Sequence, residues 1–205
     1  MSKNRKIQDH YFTPHPRSEK NLSMVHTHIR RQSFSFLTAS GVFSNRRIDP
    51  GTKLLAESMI LPSEGRVLDL GCGYGVVGIA AAAFNHNLEL FLVDINERAV
   101  WLSKQNIKLN NIDNAGARQG SLYEPVEDLT FNCILTNPPV SAGMETVRAI
   151  VLQAPQHLEV KGSFQMVVRS KIGGKTLSQF LENVFGNMEV LSRKSGYRVF
   201  LSEKH

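Results

Sequence analysis

One stretch constrains the fold of this chain more than any other: "RVLDLGCGYGVVGIAAAAF", residues 66–84. Its first part is an apolar run of strand length, and its end is a run of small apolar residues suited to a helix. Between them, Gly71, Gly73 and Gly75 allow a tight turn. Glycines there let a ligand approach backbone N–H groups at a helix N-terminus. Gly73, Gly75 and Gly78 also satisfy the spacing G-x-G-x-x-G, the fingerprint of dinucleotide sites. Taken alone, the loop is also compatible with a tight turn that holds no ligand.

The alternation that follows makes it part of a sheet. "LELFLVD" reads as a second strand and "ERAVWLSKQNIKLN" as a second helix, with Ala99, Leu102, Asn106 and Leu109 on one face. "AGARQGS" is a weak third strand and "FNCILTN" a fourth, followed by a helix over 144–157. "GSFQMVVR" is a fifth strand and "GKTLSQFLENVF" a further helix. "MEVLSRKSGYRVFLSE" closes the chain as an antiparallel pair turning near Ser195 and Gly196. Strands alternating with helices predict an α/β fold, a Rossmann-like, mostly parallel sheet of seven strands with helices on both faces.

Upstream, the pattern differs. Val25, Thr27 and Ile29 alternate, as do Phe34 and Phe36, predicting a hairpin that turns near Arg30, Arg31 and Gln32. Asp49 and Pro50 then suit the N-cap and first turn of a helix carrying Leu54, Leu55, Ser58 and Met59. The chain therefore divides into a basic extension with a hairpin, 1–48, and an α/β domain, 49–205.

Charge is unevenly placed. Residues 1–47 carry nine Lys or Arg (Lys3, Arg5, Lys6, Arg17, Lys20, Arg30, Arg31, Arg46, Arg47) against Asp9 and Glu19. Four of the seven histidines (His10, His15, His26, His28) fall there too, whereas the rest of the chain is close to neutral. A basic arm on a near-neutral body points to a polyanionic partner, most often nucleic acid, or is a solvated basic surface. At 41% hydrophobic the chain can build a core, which excludes disorder throughout. There is no secretory h-region and no apolar run near the roughly 18 residues of a membrane span, so a soluble, cytoplasmic protein is expected. Cys72 and Cys133 lie in apolar contexts without metal-ligand spacing and read as buried free thiols, with no metal site.

Two carboxylates bear on the ligand. Asp94, at the tip of the second strand, suits both hydroxyls of a ribose or the cap of the next helix. NAD and S-adenosylmethionine both carry such a ribose. Asp69 sits two residues before Gly71, a poor neighbour for a pyrophosphate and a good one for a cationic ligand. That position, and the 23-residue gap from Gly71 to Asp94, favour S-adenosylmethionine.

"VLDLGCGYG", "VDINERAV" and "NPPV", in this order, resemble the class I S-adenosylmethionine-dependent methyltransferases, specifically the "methyltransferase small" family with an NPP motif. "SGVFSNRRIDPGTKLL" resembles the segment before the glycine loop in the small-subunit ribosomal RNA guanine-N2 methyltransferases. "FGNMEVLSRKSGYRVFLSEK" resembles the C-terminus of their short archaeal relatives. The resemblance implies that Gly71, Gly73 and Gly75 lie against the cofactor, with Asp69 on its ammonium side and Asp94 on its ribose. It further implies Ser121 and Leu122 at the adenine, where relatives usually carry Asp, and Phe43 and Thr52 closing over the methionine end. The final hairpin is then inserted antiparallel.

Asn137, Pro138 and Pro139 end the fourth strand. Methyl transfer to a planar amine is mainly a matter of position. The Asn137 side-chain oxygen and the Pro138 carbonyl offer two acceptors for its N–H bonds. The prolines fix φ and push preceding residues towards extended geometry, stiffening the loop. Asn-Pro also ends strands as a plain turn, but NPP downstream of a glycine loop and Asp94 favours an active site. Many relatives place an aromatic next; here Val140 argues against adenine in DNA and leaves guanine in RNA or a glutamine side chain open. Phe36, Phe43 or Tyr11 are candidates to stack on a base, and Arg169 and Lys171 to meet phosphate or remain solvated. The leading expectation is methylation of a guanine amine in small-subunit ribosomal RNA. A protein glutamine N-methyltransferase, an enzyme acting on tRNA or a small molecule, and a non-catalytic RNA-binding protein are the alternatives.

Overall fold

The computed structural model describes residues 11–171 and 174–205. Lys3, Arg5, Lys6, Asp9 and His10 of the basic arm lie outside them. A hairpin, β1 (Leu22–Ile29) and β2 (Gln32–Ala39), precedes α1 (Pro50–Ser58). Then come β3 (Gly65–Leu70), α2 (Val76–Phe84), β4 (Leu88–Asp94), α3 (Glu97–Leu109), β5 (Ala115–Gln119) and β6 (Phe131–Thr136). The chain ends with α4 (Met144–Gln153), β7 (Leu158–Arg169), α5 (Gly174–Phe185), β8 (Glu189–Lys194) and β9 (Tyr197–Glu203).

The seven-stranded sheet has the order β5-β4-β3-β6-β7-β9-β8. All pairings are parallel except β7 with β9 and β9 with β8. The expected seven strands and inserted antiparallel hairpin are therefore present. Burial on both faces explains the near-continuous apolar runs of β3, β4 and β6. On one face Val67, Cys133 and Leu135 pack with α1, α2, α3 and the hairpin. On the other, Leu68, Leu70 and Ile134 pack with α4 and α5. From β3 the chain winds to β4 and β5 on one side, then crosses to β6 on the other. That reversal leaves a crevice beyond the carboxyl ends of β3, β4 and β6, the usual ligand position in such sheets.

The hairpin belongs to this core. Ile29, Phe34 and Phe36 are buried in it, each contributing about 1.5–3 kcal/mol. Its two-residue turn places Arg30 and Arg31 at φ 45° and 69°, a turn that ordinarily favours Asn-Gly. Arg30 has a compensation: its Nε donates to Glu57 O at 2.9 Å and its guanidinium to Met59 O, both at the end of α1. A cation there also suits the orphan carbonyls of a helix C-terminus. The free edge of β2 is covered by α3. Asn106 bonds both backbone groups of Leu37 (2.6 and 2.9 Å), and Asn110 both those of Ser35 (3.1 and 2.9 Å). Two asparagines four residues apart thus stand in for a neighbouring strand.

Three expectations are corrected. Leu109 is 45% exposed and not part of the buried face of α3; from Ala99, a helix of 3.6 residues per turn returns to the same face at the eleventh residue, Asn110. The helix expected over 144–157 is α-helical only to Gln153 and finishes as a 3₁₀ turn, Ala154–His157, because Pro155 has no N–H to continue the ladder. β7 begins at Leu158, not at Gly162, with an irregularity opposite Phe131 and Cys133 that absorbs the extra residues. Cys72 and Cys133 are both buried and free.

Candidate active site

The crevice is a cavity of about 550 Å³, within the size range of small-molecule sites. Gly71, Gly73, Asp69, Asp94, Ser121, Leu122, Asn137, Pro138, Pro139, Phe43 and Thr52 all line it. Of the cofactor and NPP residues singled out from the sequence, Gly75 alone does not line the cavity, because it is packed against Ile79, Ser103 and Leu92.

The loop's glycines divide their work. Gly71, Gly73 and Gly75 have φ of 72°, 57° and 94°, a region other residues avoid. A Cβ built on Gly71 or Gly73 meets no atom within 4 Å, so these two border open cavity. One on Gly75 or Gly78 would collide with Ile79 or Leu92 (2.9 and 2.7 Å), so those two serve packing. The loop is tied to β4 by N–H bonds from Gly71 and Cys72 to Val93 O (2.8 and 3.0 Å).

Asp69 is 2% exposed, and its Oδ2 accepts from Gly78 N–H at 2.8 Å. Burial raises its pKa to about 7; the Gly78 N–H works against this rise and nearby Asp94 adds to it. Asp94 accepts from Gly73 N–H on Oδ2 (2.8 Å) and from Asn96 N–H on Oδ1 (2.9 Å). Burial raises its pKa to about 6, against the N–H groups of Asn96, Gly73 and Ile95. The helix cap is Asn96, whose side chain accepts from Arg98 and Ala99 N–H, so Asp94 is not the cap of α3. An ionised carboxylate has roughly four acceptor positions. Asp94 takes N–H bonds from Gly73, Asn96 and Ile95, which leaves about one position for a ligand.

At the other side of the cavity, the Asn137 Nδ2 donates to Thr52 Oγ1 (2.8 Å) and Asp49 Oδ2 (3.2 Å). Its Oδ1 accepts no hydrogen bond among the described residues. The Pro138 carbonyl already accepts from Val140 N–H at 2.9 Å, leaving it one lone pair. Pro139 O accepts from Ala142 N–H at 2.8 Å. These bonds fold Val140–Ala142 into a 3₁₀ turn and hold the loop behind Asn137.

Of the stacking candidates, Phe36 is excluded: it is fully buried against Phe34 and Tyr74 because β2 turns that face inward. Tyr11 and Phe43 both line the cavity, ring centroids 5.1 Å apart. Tyr11 is held from three sides: its hydroxyl bonds Ser141, its carbonyl accepts from Asn96 Nδ2 (2.8 Å), and Phe12 abuts its ring. Buried Arg98 anchors the rest of this strap through Pro16 O, Ser18 O and Ser40 O. Arg169 lies outside the cavity with its guanidinium 5.6 Å from the Tyr197 ring, and Lys171 is an exposed turn residue. Arg17, Arg31, Arg46 and Arg47 are exposed, the last two between cavity-lining Ser44 and Asp49. Among the described residues there is no acidic, His or Cys cluster able to hold a metal ion, and no helix long and apolar enough to cross a membrane.

The sequence reading gave Asp49 only a capping role and missed it as a cavity residue. The signal was its place one turn before Thr52 in "DPGT", where two acceptors share a helix start. Glu145 and Tyr74 also line the cavity without a pattern that singles them out.

The sheet order, the inserted antiparallel strand and a glycine loop facing Asp94 define a class I Rossmann-like methyltransferase fold. The chain belongs to the methyltransferase small domain family, whose model matches residues 33–201. It is 36% identical to the uncharacterized protein YbxB of Bacillus subtilis over 97% of this chain and the whole of that one. It is 34% identical to the ribosomal RNA small subunit methyltransferase C of Hamiltonella defensa over 80% of this chain and 48% of that protein. A solved 16S rRNA methyltransferase of T. thermophilus, in complex with AdoMet and guanosine, superposes with a TM-score of 0.80 at 25% identity, covering 93% of this chain and 52% of that one. The chain thus spans about half the length of those ribosomal RNA methyltransferases.

Proposed function

We propose that this protein is an S-adenosylmethionine-dependent N-methyltransferase that modifies the exocyclic amine of a guanine in small-subunit ribosomal RNA. The observation that carries the reading is the Asn137 carboxamide. Its NH₂ is tied to Asp49 and Thr52, and its oxygen is left unpartnered in the cavity that the glycine loop and Asp94 also line.

The residues present fit the cofactor. The acceptor position left on Asp94 suits a ribose hydroxyl, and the open space at Gly71 and Gly73 admits close approach of a ligand to backbone. Asp69, held by Gly78 N–H, supplies negative charge to the cavity wall once ionised. Leu122 and Ser121 offer an apolar surface and a hydroxyl for the adenine. S-adenosylmethionine supplies an electrophilic methyl group on a cationic sulfur.

The chain contributes grip and orientation. Asn137 Oδ1 and the free lone pair of Pro138 O accept the two N–H bonds of the target amine and hold its nitrogen in one attitude. The loop is stiff before substrate arrives, through two fixed proline φ angles and the bonds from Val140 and Ala142. Tyr11 and Phe43 supply the aromatic surface that Val140 does not. Exposed Arg46 and Arg47 flank the cavity and suit RNA phosphates.

Incubation with tritium-labelled S-adenosylmethionine and purified ribosomal RNA or small subunits tests the reading. Label in small-subunit RNA, mapped to a guanine amine, is the expected result. Label in protein and none in any RNA overturns it.

A further inference from the structure

We infer that Asp49 is a positioning residue: it fixes which end of the Asn137 carboxamide faces the substrate, with Tyr197 holding Asp49 from behind. This rests on the role given to Asn137 above. An amide side chain has a donor end and an acceptor end of nearly the same shape. Gripping an amine requires that the acceptor end face the cavity. Thr52 Oγ1 sits 2.8 Å from Asn137 Nδ2, but a hydroxyl both donates and accepts, so by itself it tolerates either orientation. Asp49 Oδ2, 3.2 Å from the same nitrogen, belongs to a carboxylate and only accepts. It excludes the reversed amide directly, and by accepting from the Thr52 hydroxyl at 3.5 Å it also leaves Thr52 Oγ1 as an acceptor towards Asn137.

The surroundings of Asp49 are built to hold it there. Oδ2 also accepts from Thr52 N–H at 3.0 Å, and Oδ1 accepts from the Tyr197 hydroxyl at 3.2 Å. Tyr197 lies at the start of β9, and Arg169 at the end of β7 stacks over its ring. Gly51 makes room for this arrangement. A Cβ there would stand 2.7 Å from the Tyr197 ring and 2.9 Å from Asp49 Oδ2. Each position of "DPGT" then has a reason: an acceptor, a residue fit for the first helical turn, a space for Tyr197, and a second acceptor.

The cap of α1 and the orientation of Asn137 separate experimentally. Serine caps a helix as well as aspartate does but is too short to reach Asn137. In Asp49→Ser the thermal midpoint should stay near that of wild type, and S-adenosylmethionine affinity should stay within about twofold. The turnover number should fall by about tenfold or more, the scale of a misplaced reacting group, with KM for RNA little changed. Asp49→Asn keeps an oxygen towards Thr52 N–H and Asn137, and should restore most of the turnover. Equal turnover in wild type and Asp49→Ser overturns the inference.

A readout independent of activity comes from amide NMR of the protein labelled with ¹⁵N-asparagine, with the Asn137 pair assigned from its loss in Asn137→Ala. Two separate Asn137 Nδ2 proton signals that exchange slowly in wild type and quickly in Asp49→Ser are expected. Rapid exchange already in wild type overturns the inference without recourse to any Asp49 variant. If wild type methylates no RNA, the proposed function fails, and the NMR comparison still decides the role of Asp49.

Discussion

Replacing Asp94 by Ala tests the cofactor half of the site most directly. The carboxylate accepts one N–H from the glycine loop at 2.8 Å, one from Asn96 at 2.9 Å and one from Ile95, which leaves about one acceptor position for the proposed ribose contact. A hydrogen bond to a charged acceptor contributes about 1.5–3 kcal/mol. Water entering the space vacated by the side chain recovers part of this, leaving about 2 kcal/mol. At about 1.4 kcal/mol per tenfold, S-adenosylmethionine should bind about 30-fold more weakly. Titration calorimetry with S-adenosylmethionine and with its demethylated product measures this, and the product should lose affinity by a similar factor. Circular dichroism melts show whether the loop N–H groups left without Asp94 unfold the protein; the fold should persist, because removing a buried carboxylate offsets their loss. Turnover at saturating cofactor should fall far less than affinity, since Asn137 is untouched. An affinity within about threefold of wild type, in a folded variant, would refute the ribose assignment.

Asn137→Ala should do the reverse: methyl transfer falls by at least about 100-fold in single-turnover assays, while calorimetry finds cofactor affinity nearly unchanged. Gly73→Ala should weaken cofactor binding without a clash inside the protein, because its Cβ would enter the cavity at φ 57°; an unchanged dissociation constant counts against that loop contact. The raised pKa values of Asp69 (about 7) and Asp94 (about 6) set a pH dependence. Between about pH 4 and 7 the unfolded chain has lost these protons while the folded protein keeps them. The ligand-free protein should therefore lose stability as pH rises through that window and level off above it; urea titrations should show a flatter profile for Asp94→Asn. The same deprotonation should strengthen binding of the cationic cofactor as pH rises over about 5–7. Arg46→Ala with Arg47→Ala should weaken RNA binding and lower the slope of log affinity against log salt by about 1–2, measured by filter binding; an unchanged slope removes them from the RNA surface.

The parts of this fold legible in the sequence are those fixed by periodicity and by residues with one conformational use. The alternation of β3 to α5 and the glycines of the loop follow from backbone and burial alone. The hairpin turn was also placed correctly, yet its chemistry was not. Arg30 reads as one more charge of a basic arm, whereas its guanidinium caps α1 across the fold. Nor does any local pattern reveal that Asn106 and Asn110 complete β2, because their partners lie 69 and 75 residues away. Asp49 shows the limit most plainly. As an N-cap its role is local, and three residues of sequence suffice to read it. Its hold on Asn137 spans 88 residues and its bond from Tyr197 spans 148. One carboxylate thus serves a contact that sequence spacing encodes and two that only the closed sheet creates. Since β6 and β9 reach Asp49 only when the seven strands are assembled, a correctly oriented Asn137 is a property of the finished fold. Mutations far along the chain at Tyr197 or Arg169 should accordingly alter turnover before they alter cofactor affinity.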